Sequence, residues 1–181
     1  MEKLVWQKGN HSMKAIILAA GRGSRMKKLT DNRPKCLVEF KGKTLLHWQL
    51  QALTAAGIDE IAIVTGYKHD LLKNLGLKEF HNTRWAETNM VSSLEFADEW
   101  LRNFECIVSY SDIFYDKNAV QSLMVCKEPL SLTYDPNWLN LWTKRFGDPL
   151  LDAETFRISK THLLTEIGNK PLSTGEIQGQ Y

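Results

Sequence analysis

MKAIILAAGRGSRMKKLTDNRPKCLVEF, residues 13–40, opens with the apolar run Ala15-Ile16-Ile17-Leu18-Ala19-Ala20 and breaks at Gly21. A short apolar run that stops at glycine reads as a buried strand of a parallel sheet. The loop after it is far more basic than the rest of the chain. Residues 22–35 carry Arg22, Arg25, Lys27, Lys28, Arg33 and Lys35 against one acid, Asp31. Gly21 and Gly23 let another molecule approach backbone N–H groups, and the cations supply charge, a combination suited to a polyphosphate.

Outward from that stretch, turn and periodicity signals give a βαβ unit. Cys36 to Phe40 reads as a short extended segment before the Lys41-Gly42-Lys43 turn. Thr44 is the predicted N-cap of a helix carrying Leu45, Leu46, Trp48, Gln49, Leu50, Leu53 and Ala56 and stopping at Gly57. Residues 58–65 are a second buried strand ending at Gly66. Further along, the pattern predicts a short helix over 69–75, a brief strand over 79–81, a helix over 91–101, a third buried strand over 106–110 and a helix over 117–125. Strands are expected at 130–133 and 156–158.

The implied fold class is α/β, a doubly wound, mostly parallel sheet with helices on both faces. Ligands of such sheets bind beyond the carboxyl ends of the strands. Three loops would then share one rim: 21–35, Gly66-Tyr67 and Ser111-Asp112.

At 181 residues the chain suits one well-buried α/β domain, expected over 13–181 after a polar extension at 1–12. A net charge of +2 gives no support for a nucleic-acid partner. Cys36, Cys106 and Cys126 are scattered without metal-ligand spacing, which predicts a reducing, cytoplasmic setting. No run approaches the ~20 apolar residues of a membrane span, so no membrane insertion is expected.

Two commoner phosphate loops fit poorly. A dinucleotide fingerprint wants glycine where Met26 stands, and the Gly-Lys-Ser/Thr of a Walker loop is absent. By contrast, Leu18-Ala19-Ala20-Gly21-Arg22-Gly23-Ser24-Arg25-Met26, followed by Arg33-Pro34-Lys35-Cys36-Leu37-Val38, strongly resembles the LAAGxGxRM and PKxLV signature of the sugar-phosphate and choline-phosphate nucleotidyltransferases. The resemblance covers at least residues 13–116. It implies a Rossmann-like nucleotidyltransferase fold and attack of a phosphate oxygen on the α-phosphorus of a nucleoside triphosphate, with pyrophosphate leaving. Positioning and charge neutralisation carry such chemistry.

Several site roles follow from the resemblance. Leu18, Ala19, Ala20, Gly21, Gly23 and Ser24 would hold the nucleotide. Arg25 would contact the departing phosphates, and Lys35 the α-phosphate and the attacking group; these two are the catalytic candidates. Outside its motif, Lys35 would read as a solvated surface lysine. Asp112, at a predicted strand end, resembles the family's metal aspartate and suits Mg²⁺, which shares its shell with waters and phosphates. The alternative for Asp112 is a turn or helix cap. A second metal carboxylate would follow the Gly-Glu-x-x-Gly segment at 175–179, so the domain is expected to be shortened at its C-terminus. Asp148 and Asp152 are the substitutes within the chain.

The segment Thr88-Asn89-Met90-Val91-Ser92-Ser93-Leu94 is similar to the TNNxxSL of cytidylyltransferases acting on phosphocholine and related phospho- or phosphono-amines. Thr88, Asn89 and Ser93 would help read the base of CTP, although a helix cap accounts for the same residues. Tyr67 would pack on the base or serve as a turn residue. Tyr134, Asp135, Trp138 and Trp142, with Glu176, are the acceptor candidates, an aromatic cage with a carboxylate suiting a cationic amine. Trp138 and Trp142 are also four apart, which would place them on one helical face in a core.

The expected activity is transfer of CMP from CTP to a phosphorylated or phosphonylated amine such as phosphocholine or aminoethylphosphonate. A sugar 1-phosphate acceptor and a non-catalytic nucleotide-binding module are the alternatives. A homodimer and a larger parent chain both stay open.

Overall fold

The computed structural model describes residues 13–181, with every side chain except those of Arg25 and Lys27. The expected 1–12 extension lies outside the described residues. The chain folds as two compact units, one ending at Cys126 and the other Lys127–Tyr181.

In the first unit the apolar run is β1 (Lys14–Ala19). β2 (Glu39–Phe40) and β3 (Lys43–Thr44) form a small antiparallel hairpin. Its loop, Lys41-Gly42, has φ of 51° and 75°, the doubly left-handed geometry whose twist matches that of the paired strands. α1 (Leu45–Ala55) starts where Thr44 accepts the His47 N–H. It ends where Gly57, at φ 96°, donates to Thr54 O and Ile58 donates to Leu53 O. That pair of bonds satisfies carbonyls the helix leaves open and needs a left-handed residue at Gly57.

β4 (Ile61–Thr65), β5 (Lys78–His81), α2 (Met90–Glu95), α3 (Asp98–Asn103), β6 (Cys106–Tyr110) and α4 (Lys117–Val125) complete the unit. The four long-range strands are all parallel, in the order β5-β4-β1-β6. Chain order therefore reverses beside β1, between β1 and β6.

After Lys14, β1 is apolar because both its faces are covered. Ala15, Ile17 and Ala19 join Ile63, with Leu46 and Leu53 of α1 and Val120 of α4, in one cluster. Ile16 and Ala20 join Val64 and Phe80, with Ala97 and Trp100, in the other. Helices on both faces make the sheet doubly wound, as the alternation of strand and helix implies. Lys14 begins β1 at only 6% exposure. Its ammonium donates to Glu60 at 2.7 Å and lies 3.7 Å from the Phe104 ring centroid, so the buried charge has both an anion and a π face.

Several expectations need correction. Residues 69–75 hold only a 3₁₀ turn at His69–Leu71, and Cys36 and Leu37 lie in the 3₁₀ turn Lys35–Leu37 and not in an extended segment. The strand β6, expected to be buried, exposes Val108 and Tyr110. The helix foreseen over 91–101 is broken at Phe96-Ala97 into α2 and α3. The fully buried Ala97 lies at the break, and α3 begins there to bring Trp100 against Phe80, edge on at 5.7 Å. Residues 130–133 form no strand; Leu130 is 89% exposed, and the nearest pairing is an isolated bridge of Asp135 with Gln180.

The second unit contains α5 (Trp138–Phe146) and the antiparallel pair β7 (Phe156–Ile158) and β8 (Leu164–Ile167). Its core is Trp138, Ala153 and Ile177. Gln180 is buried and ties the last residues in, donating to Glu154 O at 2.7 Å.

Burial pushes the Cys36 thiol from its ordinary 9.0 up to about 12. At pH 8 it stays protonated and enclosed, so iodoacetamide is expected to label the exposed Cys126 but to reach Cys36 only after denaturation, as read by peptide mass spectrometry. Ionisation of this thiol lowers stability at high pH. The unfolded thiol ionises near 9.0 and the folded one near 12, so its contribution is whole below pH 9 and is lost as pH rises toward 12.

Candidate active site

The glycine loop is built around Gly23. Its φ of 71° is left-handed, and a Cβ there would lie 2.2 Å from Lys35 Cγ. The Lys35 side chain thus runs directly over the glycine, which explains why this position admits no side chain. Thr30, itself buried, donates its hydroxyl to Gly23 O at 3.0 Å and folds residues 24–30 into a tight 3₁₀ turn. Pro34 is extended, as a proline permits, and Lys35 opens the next turn.

Lys35 Nζ lies 2.7 Å from Asp112 Oδ2. Asp112 follows β6, and the basic loop follows β1, so the pair bridges the point where strand order reverses. That crevice is where ligands of open parallel sheets bind. Lys35 and Asp112, 77 positions apart in the chain, are brought within hydrogen-bond distance.

The Gly66-Tyr67 rim loop joins the loop at 21–35. Tyr67 N–H donates to Ala20 O at 2.8 Å, and Tyr67 Oη donates to Asp31 O at 2.7 Å. A Cβ at Gly66 would sit 2.5 Å from Trp85 Cβ and 2.7 Å from Ala20 O, so glycine is required for this close approach. Trp85 meets Tyr67 edge on at 5.2 Å, and the Arg22 guanidinium lies 5.8 Å from the Tyr67 ring centroid. Tyr67 is thereby fixed as part of the wall beside the glycine loop. The Arg25 side chain lies outside the described residues.

Thr88, Asn89 and Ser93 form a connected turn. Asn82, fully buried at the end of β5, donates to Thr88 Oγ1 at 2.9 Å and Ser93 Oγ at 3.0 Å. Asn89 Oδ1 accepts from Ser92 N–H and caps α2. The cap is therefore present in the folded chain, and the hydroxyls of Thr88 and Ser93 have internal partners.

Within the second unit, Trp138 is 3% exposed and its indole N–H donates to Ile177 O. Trp142 packs edge-to-face on it at 6.3 Å. Tyr134 lies against Phe156 at 5.0 Å and over Gly179, where a Cβ would be 2.3 Å away. Asp135 Oδ1 accepts from Asn137 N–H. The tryptophans are stacked in series along α5 into the core, the arrangement their spacing of four allows. Glu176 accepts from Leu172 N–H and lies 3.6 Å from Arg157. Asp148 caps the turn Pro149–Leu151.

Comparison with known proteins gives this geometry a context. The family model described as "MobA-like NTP transferase domain" matches residues 15–142. The chain belongs to this nucleotidyltransferase family. It is 42% identical over 179 residues to the CTP:phosphoglutamine cytidylyltransferase of Campylobacter jejuni, covering 93% of this chain and 70% of that one. It is 35% identical over 140 residues to the choline-phosphate cytidylyltransferase of Streptococcus pneumoniae, covering 75% of this chain and 60% of that one. The solved structure of the CTP:phosphocholine cytidylyltransferase of S. pneumoniae shares the fold, with a TM-score of 0.61 at 23% identity over 93% of this chain and 66% of that one. The nucleotidyltransferase chain described here thus spans between 60% and 70% of the lengths of these proteins.

Two supporting residues of this nucleotidyltransferase are not evident from motif reading. Gln49 of α1 is fully buried and donates to Tyr110 O at 2.7 Å and to Ile113 O, strapping down the turn that carries Asp112. A glutamine on the otherwise apolar stripe of Leu46 and Leu53 was the available signal. Asn82 has no comparable signal, because its burial depends on the turn that wraps it.

Proposed function

We propose that this nucleotidyltransferase transfers CMP from CTP to a small phosphorylated nitrogen compound, releasing pyrophosphate. The observation that carries the reading is the Lys35–Asp112 pair beneath the glycine loop, at the reversal of strand order. A cation and a carboxylate held ready at a phosphate-binding rim suit in-line displacement at the α-phosphorus. An oxygen of the acceptor phosphate forms the new P–O bond as the bond to pyrophosphate breaks. Lys35 would leave Asp112 for the α-phosphate, where negative charge accumulates. Arg25 would face the departing phosphates, and the glycine-loop N–H groups would hold the chain of phosphates.

Asp112 is freed by the same movement. It is 37% exposed along its side chain and hard in its chemistry, so it fits a Mg²⁺ that completes its shell with water and phosphate oxygens. Such an ion would neutralise charge between the two anionic reactants.

The choice of acceptor class rests on relatives named for phosphoglutamine and choline-phosphate and on the TNMVSSL segment. A pyrophosphate-release assay tests it, pairing CTP, UTP and GTP with phosphoglutamine, phosphocholine, 2-aminoethylphosphonate and glucose 1-phosphate. Turnover is expected with CTP and one of the nitrogen-bearing acceptors. Turnover confined to glucose 1-phosphate, or to UTP or GTP, rejects the proposal.

A further inference from the structure

At the outer edge of the sheet, His69, Glu79 and His81 bring one potential ligand atom each to within 4.8 Å of one another. All three are partly buried. We propose that they form a metal site separate from Asp112, binding a divalent transition ion with zinc as the best match.

The register of the sheet makes the cluster. Thr65, the last residue of β4, pairs with His81 of β5, and Glu79 lies two residues earlier on the same face. Phe80, between them, points to the opposite face and packs on Trp100. The turn after β4 then lays the His69 ring over that of His81, with centroids 3.9 Å apart.

Hydrogen bonding selects the tautomer that a metal needs at His81. The Thr65 hydroxyl donates to Glu79 Oε1 and lies 3.0 Å from His81 Nδ1. Having given its proton to the carboxylate, the hydroxyl oxygen accepts from His81 Nδ1–H, which leaves the Nε2 lone pair bare. His69 lies between two carboxylates, with Nε2 3.6 Å from Asp70 Oδ1 and Nδ1 turned toward Glu79. The buried Nδ1 has no hydrogen-bond partner and faces Glu79 Oε1 at 3.4 Å, outside hydrogen-bonding geometry. With the ring proton on Nε2, the Nδ1 lone pair and the carboxylate oxygen repel unless a cation lies between them.

Two imidazoles and a carboxylate are a common zinc ligand set, leaving one position for water. Ligand atoms about 3.3 Å apart around a tetrahedral ion require the cluster to contract and one of the stacked imidazoles to turn toward the other. Thr65, buried at 0% exposure, already orients two of the three ligands, the outer-shell support typical of metal sites. The ion would clamp the turn that carries Tyr67 and the left-handed Lys68, φ 50°, to the edge strand. It would thereby stiffen one wall beside the glycine loop without touching the reacting groups.

The test uses the full chain, stripped with chelator and titrated with ZnCl₂ by calorimetry, with histidine side-chain resonances followed by ¹⁵N–¹H correlation. The expected result is one equivalent bound, shifts confined to the rings of His69 and His81, and a higher Tm. Affinity should fall at least tenfold in His81→Gln and in Glu79→Gln, and persist in Asp112→Ala. Transfer rates with Mg²⁺ should stay within twofold in His81→Gln. Absence of binding at millimolar zinc, shifts centred on His47 or His162, or equal affinity in wild type and both site variants would each overturn the proposal. Should a variant fail to fold, the resonance shifts of the wild-type chain decide the matter alone.

Discussion

Lys35→Met is expected to lower kcat about 10³-fold while the protein keeps its fold. One well-placed donor to charge developing in the transition state is typically worth 10²–10³, and a full cation belongs at the upper end of that scale. Methionine retains most of the aliphatic stem that crosses Gly23, so the loop keeps its packing while the charge is lost. The ion pair with Asp112 is partly open to water, with side-chain exposures of 19% and 37%, so its loss should cost no more than about 1 kcal/mol. A change in Tm of about 4 °C at most follows for a chain of this size. Pyrophosphate release and circular dichroism measure both quantities, and a near-normal rate removes Lys35 from the mechanism. Gly23→Ala is a companion variant. Its methyl would overlap the Lys35 stem at a left-handed φ, so it should lower the rate through displacement of an intact lysine.

Asp112→Asn should abolish the response of turnover to Mg²⁺, with kcat falling at least 10²-fold at any metal concentration. Asparagine keeps the shape of the side chain and an acceptor for Lys35 but removes the anionic oxygen that a hard cation prefers. Gln49 holds the adjoining backbone through Tyr110 O and Ile113 O, so the turn should stay in place and the loss should be one of charge. Equilibrium binding of CTP without metal should change little, because the N–H groups proposed to hold it belong to the glycine loop and not to Asp112. A Mg²⁺ titration curve superimposable on that of the wild type sinks the assignment.

Much of the architecture was legible because local rules and tertiary packing agree along it. The apolar runs at 15–19 and 61–65 lie in buried strands, and the Thr44 cap and Gly57 stop bound α1 as their chemistry predicts. Residues 106–110 form a strand with Val108 and Tyr110 exposed rather than buried. Where local pattern misled, the deciding contacts were distant. The stretch 130–133 has strand-forming residues but forms no strand among the described residues, and 91–101 has helical periodicity but bends to seat Trp100 beneath the sheet.

The aromatic residues near Asp135 illustrate the limit most directly. Spacing alone allows a cage or a core stack, since residues four apart on a helix share a face whichever way that face turns. The burial of Trp138 and its bond to Ile177 O depend on a segment some forty positions away, a separation of 39. No reading of 134–142 by itself could supply that contact.

Taken alone, the sequence determined the parallel α/β class, because apolar runs and their glycine stops leave local signatures. Its two-part motif carried the resemblance to the family, and that resemblance marked Lys35 and Asp112 as candidates. Only the tertiary structure decided that Lys35 rests across Gly23 and meets Asp112, that Gln49 holds the turn beneath them, and that His69, Glu79 and His81 converge at the sheet edge. Those contacts are set by strand order and register, which arise from burial of both sheet faces at once and leave no mark in any short window of residues.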